Sequence, residues 1–107
     1  MNNLSNEINQ LHADLCSALA EPNRLFILYA LSEKSCNVTE LTKLLEVPQP
    51  TTSRHLKTLR ERGLVYAERQ GSTIIYHLAD KRLIEALDLL RTVLSDRLTH
   101  RASLVKG

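Results

Sequence analysis

Pro48-Gln49-Pro50-Thr51-Thr52-Ser53-Arg54-His55-Leu56-Lys57-Thr58-Leu59-Arg60-Glu61-Arg62-Gly63-Leu64-Val65 is the stretch whose reading decides the fold. Thr52, Leu56 and Leu59 recur on one stripe, which predicts a helix over residues 50–62 with that stripe inward. Gly63 follows a charged last turn and is well placed as the left-handed residue that ends a helix. With the stripe buried, Thr51, Arg54, His55, Lys57 and Thr58 fall on or beside the outer face.

Just upstream, Thr39 is a candidate N-cap for a short helix over 40–45, with Leu41, Leu44 and Leu45 inward. Glu46-Val47-Pro48-Gln49 then makes a turn of about four residues, so the order is helix, tight turn, helix. Downstream, residues 64–69 and 73–78 are rich in β-branched and aromatic side chains and flank Gln70-Gly71-Ser72, which predicts a β-hairpin. Further out, Leu4, Ile8, Leu11, Leu15 and Leu19 form an amphipathic helix that Pro22 ends near Ala20; the same proline opens a second helix to about Leu31. Asp80 caps a last helix over 81–100, with Leu83, Leu87, Leu90 and Leu94 as its stripe, and residues 102–107 are expected to fray. The expectation is a single domain over 1–107, mainly α with a small β-hairpin: a winged helix-turn-helix with the helix-turn-helix at 39–62 and the wing at 64–78.

That order suits duplex DNA. A helix of roughly 10–13 residues fits the major groove, where Arg54 can bond two guanine acceptors at once and Gln49 two adenine groups. Gln49, Thr51 and Thr52 stand at the helix N-terminus, where free amides and the dipole attract phosphate, and Ser53 is a further DNA-binding candidate. Lys57, Arg60 and Arg62 suit phosphates, His55 is a candidate donor to DNA, and Arg69, Gln70, Ser72 and Thr73 near the hairpin tip can reach the adjacent backbone or minor groove. The charge distribution agrees: residues 1–47 sum to −3 and residues 48–82 to +4, although the whole chain is only +2.

These words also resemble a known family. The 48–60 run followed by Gly63-Leu64-Val65 is similar to the recognition-helix signature of the ArsR/SmtB repressors. Leu19-Ala20-Glu21-Pro22-Asn23-Arg24-Leu25 resembles the family's approach to its second helix, Val38-Thr39-Glu40-Leu41 its third, and Gly71 with Tyr76-His77-Leu78 its wing. The resemblance covers about 11–98 and implies five helices and a hairpin, dimerised through the first and last helices (about 4–20 and 81–100). It implies a homodimer that holds double-stranded DNA at a palindromic operator until an effector, often a metal or metalloid, lowers the affinity. Where Pro48 stands, family members often carry Ser or Thr, so the recognition helix here lacks a side-chain cap. The apolar stripes of the terminal helices support the dimer independently, since one small core could not cover them both.

The family's metal sites are poorly matched. Its third-helix thiolate run corresponds to Asn37-Val38-Thr39-Glu40, with Cys36 just outside, and its last-helix zinc positions hold Asp80, Arg82, Val93 and Asp96. Two weaker sensing sets remain. His12 and Cys16 share a face of the first helix and Asp96 and His100 a face of the last, so a divalent ion could sit where those helices meet in a dimer. A thiol-redox signal at Cys16 or Cys36 is the other, although a bridge between them within one subunit is geometrically poor.

Composition excludes more than it selects. Apolar residues are 43% and charged residues 24%, the profile of a globular protein, and no stretch approaches the roughly 20 apolar residues of a membrane span. MNNLSNEINQ is too polar for a signal peptide, so a cytoplasmic location without membrane partners is expected. No glycine-rich phosphate loop, HExxH or convincing catalytic set is present, so an enzyme is not expected. The alternative is a constitutive winged-helix DNA binder, or a protein-interaction module, without an effector.

Overall fold

The molecule, described by a computed structural model over residues 2–106, is built on five helices and a hairpin. Helix α1 runs from Asn2–Leu11 through a π-helical turn at His12–Cys16 to Ser17–Leu19; α2 is Pro22–Glu33, α3 Val38–Leu45 and α4 Gln49–Glu61. Strands β1 (Val65–Gln70) and β2 (Thr73–Leu78) form the hairpin, and α5 is Arg82–Lys106. This is a winged helix-turn-helix, with α3 and α4 as the helix pair and β1–β2 as the wing.

Local chemistry explains each boundary. Glu21 accepts the Asn23 amide and Pro22 occupies the first turn, so α2 starts there. Asn37, not Thr39, caps α3: its side chain accepts from the Glu40 amide at 2.8 Å while the Glu40 carboxylate accepts from the Asn37 amide at 2.9 Å. That reciprocal pair outcompetes Thr39, whose helical backbone leaves its side chain exposed. The Asn37 amide also holds the Glu40 carboxyl below its usual range. Helix α3 ends on Glu46 in the left-handed region (φ 56°), and α4 ends on Gly63 at φ 75°. There the Gly63 amide bonds to the Arg60 carbonyl and the Leu64 amide to the Leu59 carbonyl, the two bonds of a Schellman stop. Gly71 at φ 66° opens the two-residue turn that sets Gln70 opposite Thr73 and Val65 opposite Leu78.

Ile27, Leu28 and Leu31 of α2, Leu41 of α3, Leu56 and Leu59 of α4, Val65 of β1 and Leu87 of α5 form the core. Each fully buried Leu or Ile contributes about 1.5–3 kcal/mol of transfer free energy. Cys36 closes the edge by exchanging backbone bonds with Tyr76 (3.2 and 2.8 Å), so the α2–α3 link adds one rung to the wing.

Two further expectations fail. Leu44 is 66% exposed and lines a groove between α2 and α3 with Phe26, because α3 turns only Leu41 fully inward and Leu45 partly. Residues 102–106, expected to lie beyond the last helix, continue α5, since Ala102 and Leu104 favour helix and no breaker precedes Gly107, which lies outside the described residues. Along α1 the apolar residues divide: Leu15, Ala18 and Leu19 pack on the core, whereas Leu4, Ile8 and Leu11 are about half exposed. The π-helical turn lies between the two sets and offsets one face from the other. On α5, Leu83, Ile84 and Leu87 pack inward, but Leu90, Val93, Leu94 and Leu98 are all more than half exposed.

Candidate nucleic-acid interface

Helix α4 presents two faces of opposite character. Thr52, His55, Leu56 and Leu59 are buried. Gln49, Ser53, Arg54, Lys57 and Arg60 are exposed, and the helical spacing puts Arg54 and Lys57 opposite the buried face with Gln49, Ser53 and Arg60 along its flank. Thr51 and Thr58 are half-buried at the margins, the Thr58 hydroxyl donating back to the Arg54 carbonyl at 3.3 Å. Among the described residues, Arg54, Lys57 and Arg60 enter no ion pair, so their charge is not cancelled within the chain. On the hairpin that follows α4, Arg69, Gln70, Ser72 and Thr73 are exposed around the wing turn. Arg69 donates to the Gly71 carbonyl at 3.3 Å and Gln70 to the Glu68 carboxylate at 2.9 Å, which brace the tip.

Two expected site residues point elsewhere. His55 is 6% exposed, and its Nδ1 accepts from Arg24 at 3.2 Å, so it faces the chain's own interior. Burial, reinforced by the Arg24 charge, lowers its pKa below the ordinary 6.5. Thr52 is buried too, and its hydroxyl finds no partner among the described residues. The N-terminus of α4 offers fewer free amides than expected. Pro50 has none, and the Thr51 and Thr52 amides are taken by the Pro48 carbonyl at 2.9 and 3.3 Å. Pro48 makes no side-chain cap, as its ring dictates.

The sensing candidates are dispersed. Cys36 is 2% exposed, its thiol donates to the Lys34 carbonyl, and burial raises its pKa, so within the chain it is shielded from solvent. His12 and Cys16 are exposed on the π-helical turn, and Asp96 and His100 are exposed on α5. The residues at the family's metal positions do not fit a metal. Asp80 is held by Arg82 at 2.7 Å, which lowers its pKa to about 2, and no second thiol accompanies Cys36 at α3. No group of three His, Cys, Asp or Glu converges within the chain among the described residues.

Sequence reasoning missed the Arg24–His55 contact and the Cys36–Tyr76 rung. The first has no periodic signal, because Arg24 lies 31 positions from its partner. The second lies in the short link between α2 and α3, which carries no strand periodicity.

Comparison with known proteins agrees with this geometry. Residues 21–67 match the family model described as "Bacterial regulatory protein, arsR family". The HTH-type transcriptional repressor SmtB of Mycobacterium tuberculosis is 44% identical over 72% of this chain, and the match spans 57% of the repressor's own length. Among solved structures, M. tuberculosis Rv0081 superposes with a TM-score of 0.80 at 33% identity, covering 89% of this chain and 96% of that one. The homodimeric winged helix-turn-helix DNA-binding domain of Mb0332 from Mycobacterium bovis gives 0.79 at 27% identity, covering 94% and 92%. The chain belongs to the ArsR/SmtB family, which comprises transcriptional regulators rather than enzymes.

Proposed function

We propose that this chain is a sequence-specific DNA-binding transcriptional repressor that acts as a homodimer in the cytoplasm. The single observation that carries the reading is the exposed row Arg54, Lys57 and Arg60 on α4, which enters no ion pair among the described residues. Gln49, Ser53 and Arg54 are the base-reading candidates, with Thr51 and Thr58 at the margin; Lys57, Arg60 and the wing residues Arg69, Gln70, Ser72 and Thr73 hold phosphates. In this reading 1–107 works as one winged helix-turn-helix unit, with 39–62 as the helix-turn-helix and 64–78 as the wing. Helices 4–20 and 81–100 bring two copies together. Support for the pairing is the uncovered stripe of Leu4, Ile8 and Leu11 with Leu90, Val93, Leu94 and Leu98, together with the homodimeric form of the Mb0332 domain. Two related recognition helices about 34 Å apart would then read a palindromic operator.

A salt titration tests it. Counterion release predicts that the logarithm of the binding constant for duplex DNA falls linearly with the logarithm of salt. Affinity that ignored salt would instead favour a protein-interaction module.

The reading includes an effector that weakens DNA binding: a divalent metal, a metalloid or a thiol-redox signal. Cys16 is the accessible thiol, with His12, Asp96 and His100 as further exposed ligands near the proposed interface. A constitutive repressor is the second reading, favoured by the Asp80–Arg82 pair and the closed Cys36 at the family's metal positions. Operator affinity measured with a metal panel, reductant and oxidant separates the two.

A further inference from the structure

The outward face of α4 leaves unexplained how α4 is held against α1. Arg24, in the first turn of α2, stands between them. Its Nε donates to the Ala18 carbonyl at 2.6 Å and its Nη2 to the Ser17 carbonyl at 3.4 Å. Both acceptors belong to the last turn of α1, where carbonyls lack partners within the helix. Its Nη1 donates to Nδ1 of His55 at 3.2 Å, in the middle of α4. Arginine carries only donors, so Nδ1 must accept, which fixes His55 as the neutral tautomer protonated on Nε2. A planar guanidinium sharing three such contacts admits little rotation of one helix against the other. A second link joins the same elements: Arg62, at the end of α4, lies 3.7 Å from Asp14 in the π-helical turn of α1. That pair is exposed enough to contribute little by itself, so the weight falls on Arg24 and His55.

We infer that Arg24 and His55 are positioning residues that fix the direction of the recognition helix against α1, and through α1 against the recognition helix of the partner copy. The inference rests on the proposed reading, in which α1 lies at the two-fold interface. Its consequence is specific. A dimer reads a palindrome only if both α4 helices keep their mutual direction, whereas one protomer can engage one half-site regardless. Loss of the strut should therefore weaken palindrome binding far more than half-site binding. A residue that merely filled the core would weaken both alike.

The test uses the duplex that the native full-length chain enriches from randomised DNA, and the same duplex with one half scrambled. His55→Leu keeps volume but removes the acceptor; His55→Gln returns an acceptor oxygen. The expected result is a folded His55→Leu dimer that loses at least tenfold on the palindrome and less than twofold on the scrambled duplex, with His55→Gln recovering most of the difference. Equal losses on both duplexes, or no loss on either, would overturn the inference. Should His55→Leu not fold, Arg24→Lys is read the same way, because an ammonium cannot span three acceptors. Should the native chain enrich no duplex, the DNA-binding reading itself fails. The strut is then judged on the backbone amide resonances of Ser17, Ala18 and Leu19. They should shift between native and Arg24→Lys chains; unchanged resonances would refute it.

Discussion

At the scale of single residues, Arg54 and His55 are neighbours in sequence with opposite fates. Arg54 is exposed and unpaired, while His55 is enclosed beside another cation. Replacing Arg54 with Ala should abolish sequence-specific binding while leaving the dimer intact; unchanged affinity for an enriched duplex would count against the proposed reading face. The environment of His55 sets a pH dependence. Burial first, and Arg24 second, make the folded chain take up a proton less readily than the unfolded one. Stability is therefore highest above the unfolded value near 6.5 and falls as pH drops from there toward the lower folded value. Denaturant midpoints measured between pH 5 and 8 should show that decline, and His55→Gln should flatten it. The burial of His55 was not legible in the sequence. Its position relative to Leu56 and Leu59 leaves it on the boundary of the stripe, and only the distant Arg24 decides which side it takes.

At the scale of elements, helix ends were more legible than helix faces. Gly63 was readable as a stop because a left-handed residue after a charged turn strongly favours glycine, and the Schellman bonds bear this out. The cap of α3 was misread, although Asn37 and Glu40 stand at the three-residue spacing of a reciprocal cap. The π-helical turn in α1 and the exposure of Leu44 left no periodic trace, since both depend on how α1 and α3 seat against the other helices. The turn between α3 and α4 carries a visible cost. Glu46 adopts φ 56°, where a side chain is strained relative to glycine by roughly 1 kcal/mol. Glu46→Gly should therefore raise stability by about 0.5–1 kcal/mol in a denaturant titration, with DNA affinity unchanged. A loss of stability would show that the Glu46 side chain contributes contacts that outweigh the strain.

At the scale of the whole molecule, the core and the uncovered stripe serve different ends. The core of α2, α3 and α4 with the wing packs the inner face of the recognition helix. The exposed leucines of α1 and α5 form apolar surface that a monomer would leave in water. This division was foreseeable from the sequence, because both terminal helices have wider stripes than one small core can use. Which leucines lie on which side was not, since it depends on the offset introduced at His12–Cys16. Leu90→Asp places a charge in the middle of the exposed stripe and should dissociate the dimer, as read by sedimentation. A variant that remained dimeric would contradict the proposed interface. The most direct measurement of the central claim is enrichment of randomised duplex DNA by the purified native chain. The expected product is a palindrome whose half-sites are centred one helical turn, about 34 Å, apart. Recovery of no shared sequence, or of a single unrepeated site, would contradict it.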